Sequence, residues 1–122
     1  MYDAILRLLE ASANIENPQI TNLHVYGQNA FRVKIRAIIS PNLAFQVWIN
    51  HNARHTRYSY QLLRQSEALF RWDNAPHHPE IKSNYPHHYH DERGDISPTR
   101  LQGTPLEDLL IVLKDIEKYT SS

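Results

Sequence analysis

The chain has 122 residues and a mass of 14.3 kDa, with 41% hydrophobic and 21% charged residues, 7 Pro and 3 Gly. That length suits one domain of ~100–150 residues and excludes a two-domain enzyme, and the composition excludes a disordered or repetitive chain. The net charge is zero and cysteine is absent, which removes disulfide frameworks, thiolate nucleophiles, iron–sulfur clusters and Cys-based zinc sites, so any metal would need His, Asp or Glu.

The first residues, Met1-Tyr2-Asp3-Ala4-Ile5-Leu6-Arg7, show no basic region followed by an apolar stretch, so no signal peptide is expected. The longest apolar run is far below the ~18 residues of a membrane span. A soluble cytoplasmic domain, with no membrane partner, is the expectation.

In chain order, Ile5, Leu8 and Leu9 beside Tyr2 and Leu6 predict an N-terminal helix over residues 1–13, with Asp3 as its cap. Asn14 to Gln19, holding Asn17-Pro18, should end it as a turn. A weaker strand is expected from Ile20 to Tyr26. Phe31, Val33, Ile35, Ala37 and Ile39 then alternate with Arg32, Lys34 and Arg36, the pattern of a half-buried strand. After the turn Ser40-Pro41-Asn42, Leu43, Phe45, Val47 and Ile49 repeat it, with Gln46, Trp48 and Asn50 on the other face. Tyr58 to Leu62 and Ala68 to Asp73 read as two further strands, with a helix over Tyr60 to Phe70 as the alternative.

From Asn74 to Gly103 the alternation stops, and Pro76, Pro79, Pro86 and Pro98 accompany most of the histidines. This reads as a long ordered loop, and loops longer than ~15 residues in compact domains are usually functional or disordered. Thr104-Pro105-Leu106-Glu107 offers a capping box. Leu106, Leu109, Leu110, Leu113 and Ile116 form the expected buried stripe of a C-terminal helix.

The predicted fold is α+β: an antiparallel meander of four to five strands with an N-terminal and a C-terminal helix. One domain spans 1–122, with the helix at 1–13, the sheet at 20–73, the His/Pro-rich loop at 74–103 and the second helix at 105–119. The helices should cover one sheet face and leave the Arg-bearing face open.

Charge is segregated along the chain. His24 to Trp72 holds seven bases, namely Arg32, Lys34, Arg36, Arg54, Arg57, Arg64 and Arg71, against Glu67, a net +6 that the rest of the chain balances. Arg32, Lys34 and Arg36 should project at intervals of about 6.6 Å, two strand rises, as a ladder for an anionic backbone. A solvated sheet that happens to use Arg is the plainer explanation.

Five of the eight histidines fall within fourteen residues: His77, His78, His87, His88 and His90. Such a cluster suits proton transfer, metal binding or phosphate contact. If Pro86 to His90 is extended, His88 and His90 share a side and can chelate one ion, with His77 or His78 as third ligand and Asp73 as a carboxylate. The spacing matches no established motif, and no metal or other cofactor is expected; His78, His88 and His90 are the candidates if one is present. Acid–base cleavage of RNA needs none: two histidines move protons, Arg71 stabilises charge, Asp73 orients a histidine, and Tyr58 and Tyr60 stack bases. A hydrogen-bonding network of histidines, sheet packing for the tyrosines and a turn role for Asp73-Asn74-Ala75-Pro76 are the structural alternatives.

Tyr58-x-Tyr60, then Phe70-Arg71-Trp72-Asp73-Asn74-Ala75-Pro76-His77-His78, then Pro86-His87-His88-Tyr89-His90 and a Leu-rich C-terminal helix resemble the TumE-type toxin family over roughly Val25 to Lys118. The resemblance implies the toxin of a bacterial or archaeal toxin–antitoxin pair, partnered by a helix-turn-helix antitoxin. Members often carry Lys between the last two histidines, where Tyr89 stands here; if that Lys contacts phosphate, this member has lost the contact or moved it to another base.

The function expected is therefore a toxin acting on RNA as a metal-independent ribonuclease. Its acid–base candidates are His77, His78, His87, His88 and His90, with Asp73 and Arg71. Arg32, Lys34, Arg36, Arg54, Arg57, Tyr58 and Tyr60 are the nucleic-acid contacts. The alternatives are a non-catalytic binding module for nucleic acid or protein, and a nucleotide-transferring or metal-dependent hydrolytic toxin. Only three glycines argue against a Gly-rich phosphate loop. An edge strand leaves a homodimer open.

Overall fold

A computed structural model of the chain describes residues 1–121. The order is α1 (Tyr2–Ala11), β1 (Glu16–Gly27), β2 (Ala30–Ser40), β3 (Leu43–His51), β4 (Thr56–Arg64), β5 (Glu67–Asp73), β6 (His88–His90), β7 (Ile96–Pro98) and α2 (Pro105–Ser121). The strands form one antiparallel sheet in the order β1-β2-β3-β4-β5-β6-β7. The α+β meander between two helices is as expected, but the sheet has seven strands rather than four to five.

The extra strands lie in the segment read as loop. Each is three residues long, too short for alternation to register, yet β6 pairs Arg71 with His90 and Asp73 with His88. The predicted turn over Asn14 to Gln19 instead runs into β1, where a register shift between Glu16 and Gln19 absorbs Pro18 at the sheet edge. Residues 60–70 are not helix: they are the end of β4, a turn at Gln65-Ser66 and the start of β5.

Strand alternation divides the sheet into two faces. Phe31, Val33, Ile35, Phe45, Val47, Ile49, Tyr58, Tyr60, Leu62, Phe70 and Trp72 are buried in a core with Ile5 and Leu9 of α1 and Leu109, Val112 and Ile116 of α2. Asp3 lies in the first turn of α1 and Met1 holds the cap position, so the expected Asp3 cap is displaced inward. The buried stripe of α2 is rotated from expectation: Leu106 and Leu110 are exposed, while Val112 is buried.

Asp108 of α2 is buried with the inward-facing residues. Its carboxylate accepts from the backbone N–H groups of Gln102 (3.0 Å) and Gly103 (2.8 Å), and so must face inward. Gln102 and Gly103 stand immediately before the helix, where amide protons need acceptors. No helix among the described residues is long and apolar enough to cross a membrane.

Candidate active site

The opposite face of the sheet carries the polar phases of the same strands. Its middle row runs across six strands through the paired positions Asn22, Lys34, Trp48, Ser59, Asp73 and His88. The neighbouring row holds Gln19, Arg36, Gln46, Gln61, Arg71 and His90. These rows converge on Asp73 because β5 ends there and β6 returns beside it.

Asp73 is 6% exposed and is fully engaged. Its Oδ2 accepts from Arg71 Nε at 2.8 Å, and its Oδ1 accepts from the Ala75 N–H at 3.0 Å. The same Oδ1 lies 3.0 Å from His88 Nε2. The two roles open for Asp73, shaping the turn and orienting a histidine, are thus carried together. Asn74 supports the corner: its amide donates to the Thr56 carbonyl (2.7 Å) and its Oδ1 accepts from the Tyr58 N–H (3.0 Å), continuing the ladder beyond β5.

His88 is 2% exposed, and its Nδ1 lies 2.8 Å from the Pro86 carbonyl. Both ring nitrogens therefore face oxygen acceptors, an arrangement matched in full when both carry protons. His90 is different. Arg71 donates through Nη2 to His90 Nε2 at 3.1 Å, and a guanidinium has no lone pair to accept with. His90 Nε2 must then be the unprotonated nitrogen, so its 3.5 Å approach to Asp73 Oδ2 is proximity rather than a hydrogen bond. Burial, and next the Arg71 guanidinium, hold His90 below its ordinary pKa, against the opposing pull of Asp73.

His78 comes from the loop after β5. Its Nδ1 lies 3.2 Å from Glu80 Oε1, which leaves Nε2 to the site. The three rings form a triangle, with centroids 4.9 Å apart for His78–His88, 5.4 Å for His78–His90 and 4.8 Å for His88–His90. One ligand atom from each lies within 4.8 Å of the others, so these are the residues able to hold a metal ion. Asp73 is the nearest carboxylate.

The depression over this group is about 270 Å³, lined by Trp48, Arg57, Ser59, Gln61, Arg71 and Asp73 with His77, His78 and His88. A larger hollow, about 700 Å³, lies elsewhere against Ile39, Leu43, Arg64 and Tyr119 and brings together no group of acid–base residues.

Of the residues expected from sequence, Asp73, Arg71, His78, His88 and His90 meet here, with exposed His77 at the rim. Arg32, Lys34, Arg36 and Arg57 share the open face. Four others are buried or lie elsewhere, although Tyr58 also borders the depression. Tyr58 and Tyr60, expected beside a substrate, are 2% and 1% exposed in the core, because their strand phase is that of Leu62. His87 faces away from the site, its Nδ1 taking the Tyr58 hydroxyl at 2.7 Å with the rings stacked. Arg54 sits in the β3–β4 turn, against a separate hollow shared with His51 and His87. Trp48, Ser59 and Gln61 were missed, although the placing of Trp48 on the polar phase was legible.

A family model described as Toxin TumE matches residues 5–120. The chain belongs to the TumE toxin family. It is accordingly the toxin of a toxin–antitoxin pair and has an antitoxin as its partner. No curated protein and no solved structure matches it. The matched residues include every strand, most of both helices and the Asp73 corner.

Proposed function

We propose that this TumE-family toxin acts in the cytoplasm by cleaving RNA, using histidine acid–base groups and no metal. One observation carries the reading: a neutral, partly exposed His90 stands beside His78, Arg71 and the buried Asp73–His88 pair, on a face that also carries Arg32, Lys34, Arg36 and Arg57. As Arg71 Nη2 turns from His90 Nε2 to the phosphate, the freed Nε2 lone pair takes the proton of a 2′-hydroxyl while that oxygen attacks the adjacent phosphorus. Protonated His78 gives a proton to the departing 5′-oxygen, and a 2′,3′-cyclic phosphate remains. Arg71 stabilises the charge gathering on the phosphate, and Asp73 with His88 fixes the geometry.

The cognate antitoxin, a helix-turn-helix protein in this reading, silences the toxin by laying an acidic segment along the basic face. A homodimer through the β1 edge, where Val25 and Tyr26 are exposed, would leave that face free.

A second reading places a metal ion on His78, His88 and His90. It is favoured by the closeness of their ligand atoms and by the His88 Nδ1–Pro86 carbonyl bond, the kind of contact that fixes a metal-binding imidazole. The deciding experiment incubates purified toxin with a defined single-stranded RNA, with and without EDTA, beside a folded His88→Ala variant. Cleavage that survives EDTA and is lost in the variant supports the first reading. Cleavage abolished by EDTA and restored by zinc supports the second. No cleavage in any condition overturns both and leaves a binding or nucleotide-transferring toxin.

A further inference from the structure

Trp48 is placed against the usual preference for its residue type. On β2 to β5 the other large aromatic side chains, Phe31, Phe45, Tyr58, Tyr60, Phe70 and Trp72, are buried in the core. Trp48 alone among them lies on the polar face, half-buried, where its indole stacks on no other ring and its N–H has no hydrogen-bond partner among the described residues. A large π-surface with a free N–H, left among cations, is what a stacking platform for a ligand requires.

Its position is central. Trp48 is the wall shared by two hollows: the depression over Asp73 and His88, and one of about 260 Å³ lined by Asn22, Arg32 and Lys34. In the cross-strand row, Lys34 is its neighbour on one side, and Ser59 separates it from Asp73 on the other. With strands ~4.8 Å apart, Trp48 stands about 10 Å from Asp73. The short Ser59 side chain keeps the space between them open. Arg57, one strand over, flanks the same depression. The one carboxylate in the row, Asp73, is already paired with Arg71 and His88, so the face presents net positive charge.

We propose that this face is a track for single-stranded RNA. An unpaired base stacks on Trp48, the sugar–phosphate chain runs between Arg57 and the Arg32–Lys34 pair, and the neighbouring phosphodiester lies over Asp73 and His90. This deepens the ribonuclease reading and rests on it for the chemistry at that phosphodiester. A base within a duplex is already stacked on both sides and cannot lie on Trp48, so duplex RNA is excluded.

The test uses a 2′-O-methyl oligonucleotide, which lacks the attacking hydroxyl and so reports binding alone, as a single strand and as a duplex. Anisotropy of a labelled strand is read for the parent, Trp48→Ala and Trp48→Phe, each confirmed folded by thermal melting. The expected result is single-strand binding with indole quenching, duplex binding at least tenfold weaker, a loss of about ten- to hundredfold in Trp48→Ala, and recovery of most of it in Trp48→Phe. Unchanged affinity in Trp48→Ala, or equal affinity for duplex, overturns the track. No binding of any oligonucleotide also overturns it and gives the face to an acidic protein. Trp48-dependent binding without cleavage of unmodified RNA keeps the track and removes the nuclease. Cleavage with no dependence on Trp48 does the reverse.

Discussion

His87 and His88 are neighbours in sequence and opposites in chemistry. His87 turns toward the helix-covered side, where its Nδ1 and the Tyr58 hydroxyl share a hydrogen bond of 2.7 Å and no carboxylate touches it. Burial pushes the His87 pKa down and, more strongly, the Tyr58 pKa up. Both groups stay neutral, and the pair is a structural hydrogen bond. One residue on, His88 faces the open side and meets Asp73 at 3.0 Å. A run of histidines is therefore not itself a site. What makes one is the phase of the strand and a carboxylate within reach of that phase.

The sharpest way to break this contrast is to remove the carboxylate's charge and keep its shape. Asp73→Asn retains the side-chain volume and one acceptor oxygen, but it removes the charge and replaces the other oxygen with an NH2 donor facing Arg71 or His88. Cleavage rate is expected to fall by about 10²–10⁴-fold, the range in which positioned acid–base groups act, with the toxin still folded. Tyr58→Phe, which alters the other side, should leave the rate within a few-fold of the parent. Equal losses in the two variants would show that the two sides are one network.

This contrast also shows where the sequence was readable. β2 and β3 were plain because Phe31 to Ile39 and Leu43 to Ile49 alternate over many residues, each apolar side chain reporting the same buried face. The helices were plain from their caps and stripes, although the rotation of α2 was not, since Leu106 and Leu110 are as apolar as the residues that are buried. The inward pull on Asp108 comes from amides that sequence does not display. Spatial grouping was legible for Asp73, His78, His88 and His90, the last two because residues two apart in an extended segment share a side. It failed for Tyr58 and Tyr60, whose hydroxyls suggested a polar setting although their phase is that of the core. Trp48 showed its phase openly, but its meaning depends on Ser59 and Asp73 two strands away.

A smaller effect separates the two sides by pH. His87 is held below the ordinary histidine value of about 6.5 by burial, despite Asp108 nearby. Between the folded and unfolded values the unfolded chain binds more protons, so stability falls as pH drops through about 6.5 and stops falling once pH is below the folded value. His90, also depressed, contributes in the same sense. Urea melts from pH 8 to pH 4.5 should show this loss shrinking in His87→Asn and shrinking separately in His90→Asn. A stability that rises on acidification through this window would contradict the buried, neutral His87–Tyr58 pair.

The smallest expected effect compares two arginines only three residues apart. Arg57 stands on β4 beside the depression, whereas Arg54 lies in the turn before it, against the hollow that His51 and His87 share. A contact between one cation and one phosphate of a single strand contributes about 0.7 to the slope of log affinity against log salt. Arg57→Ala should lower that slope by about 0.7 and weaken binding of a 2′-O-methyl single strand at low salt, and Arg54→Ala should leave both as they are. The measurement is affinity across ~50 to ~200 mM salt for the three proteins. Because Arg→Ala removes the same charge from the chain in both variants, any general electrostatic attraction changes alike in the two. A slope lost in Arg57→Ala alone locates the nucleic acid on the open face. The same slope loss in both variants would mean that the charge acts from anywhere on the surface, and that the faces differ in shape without differing in what they bind.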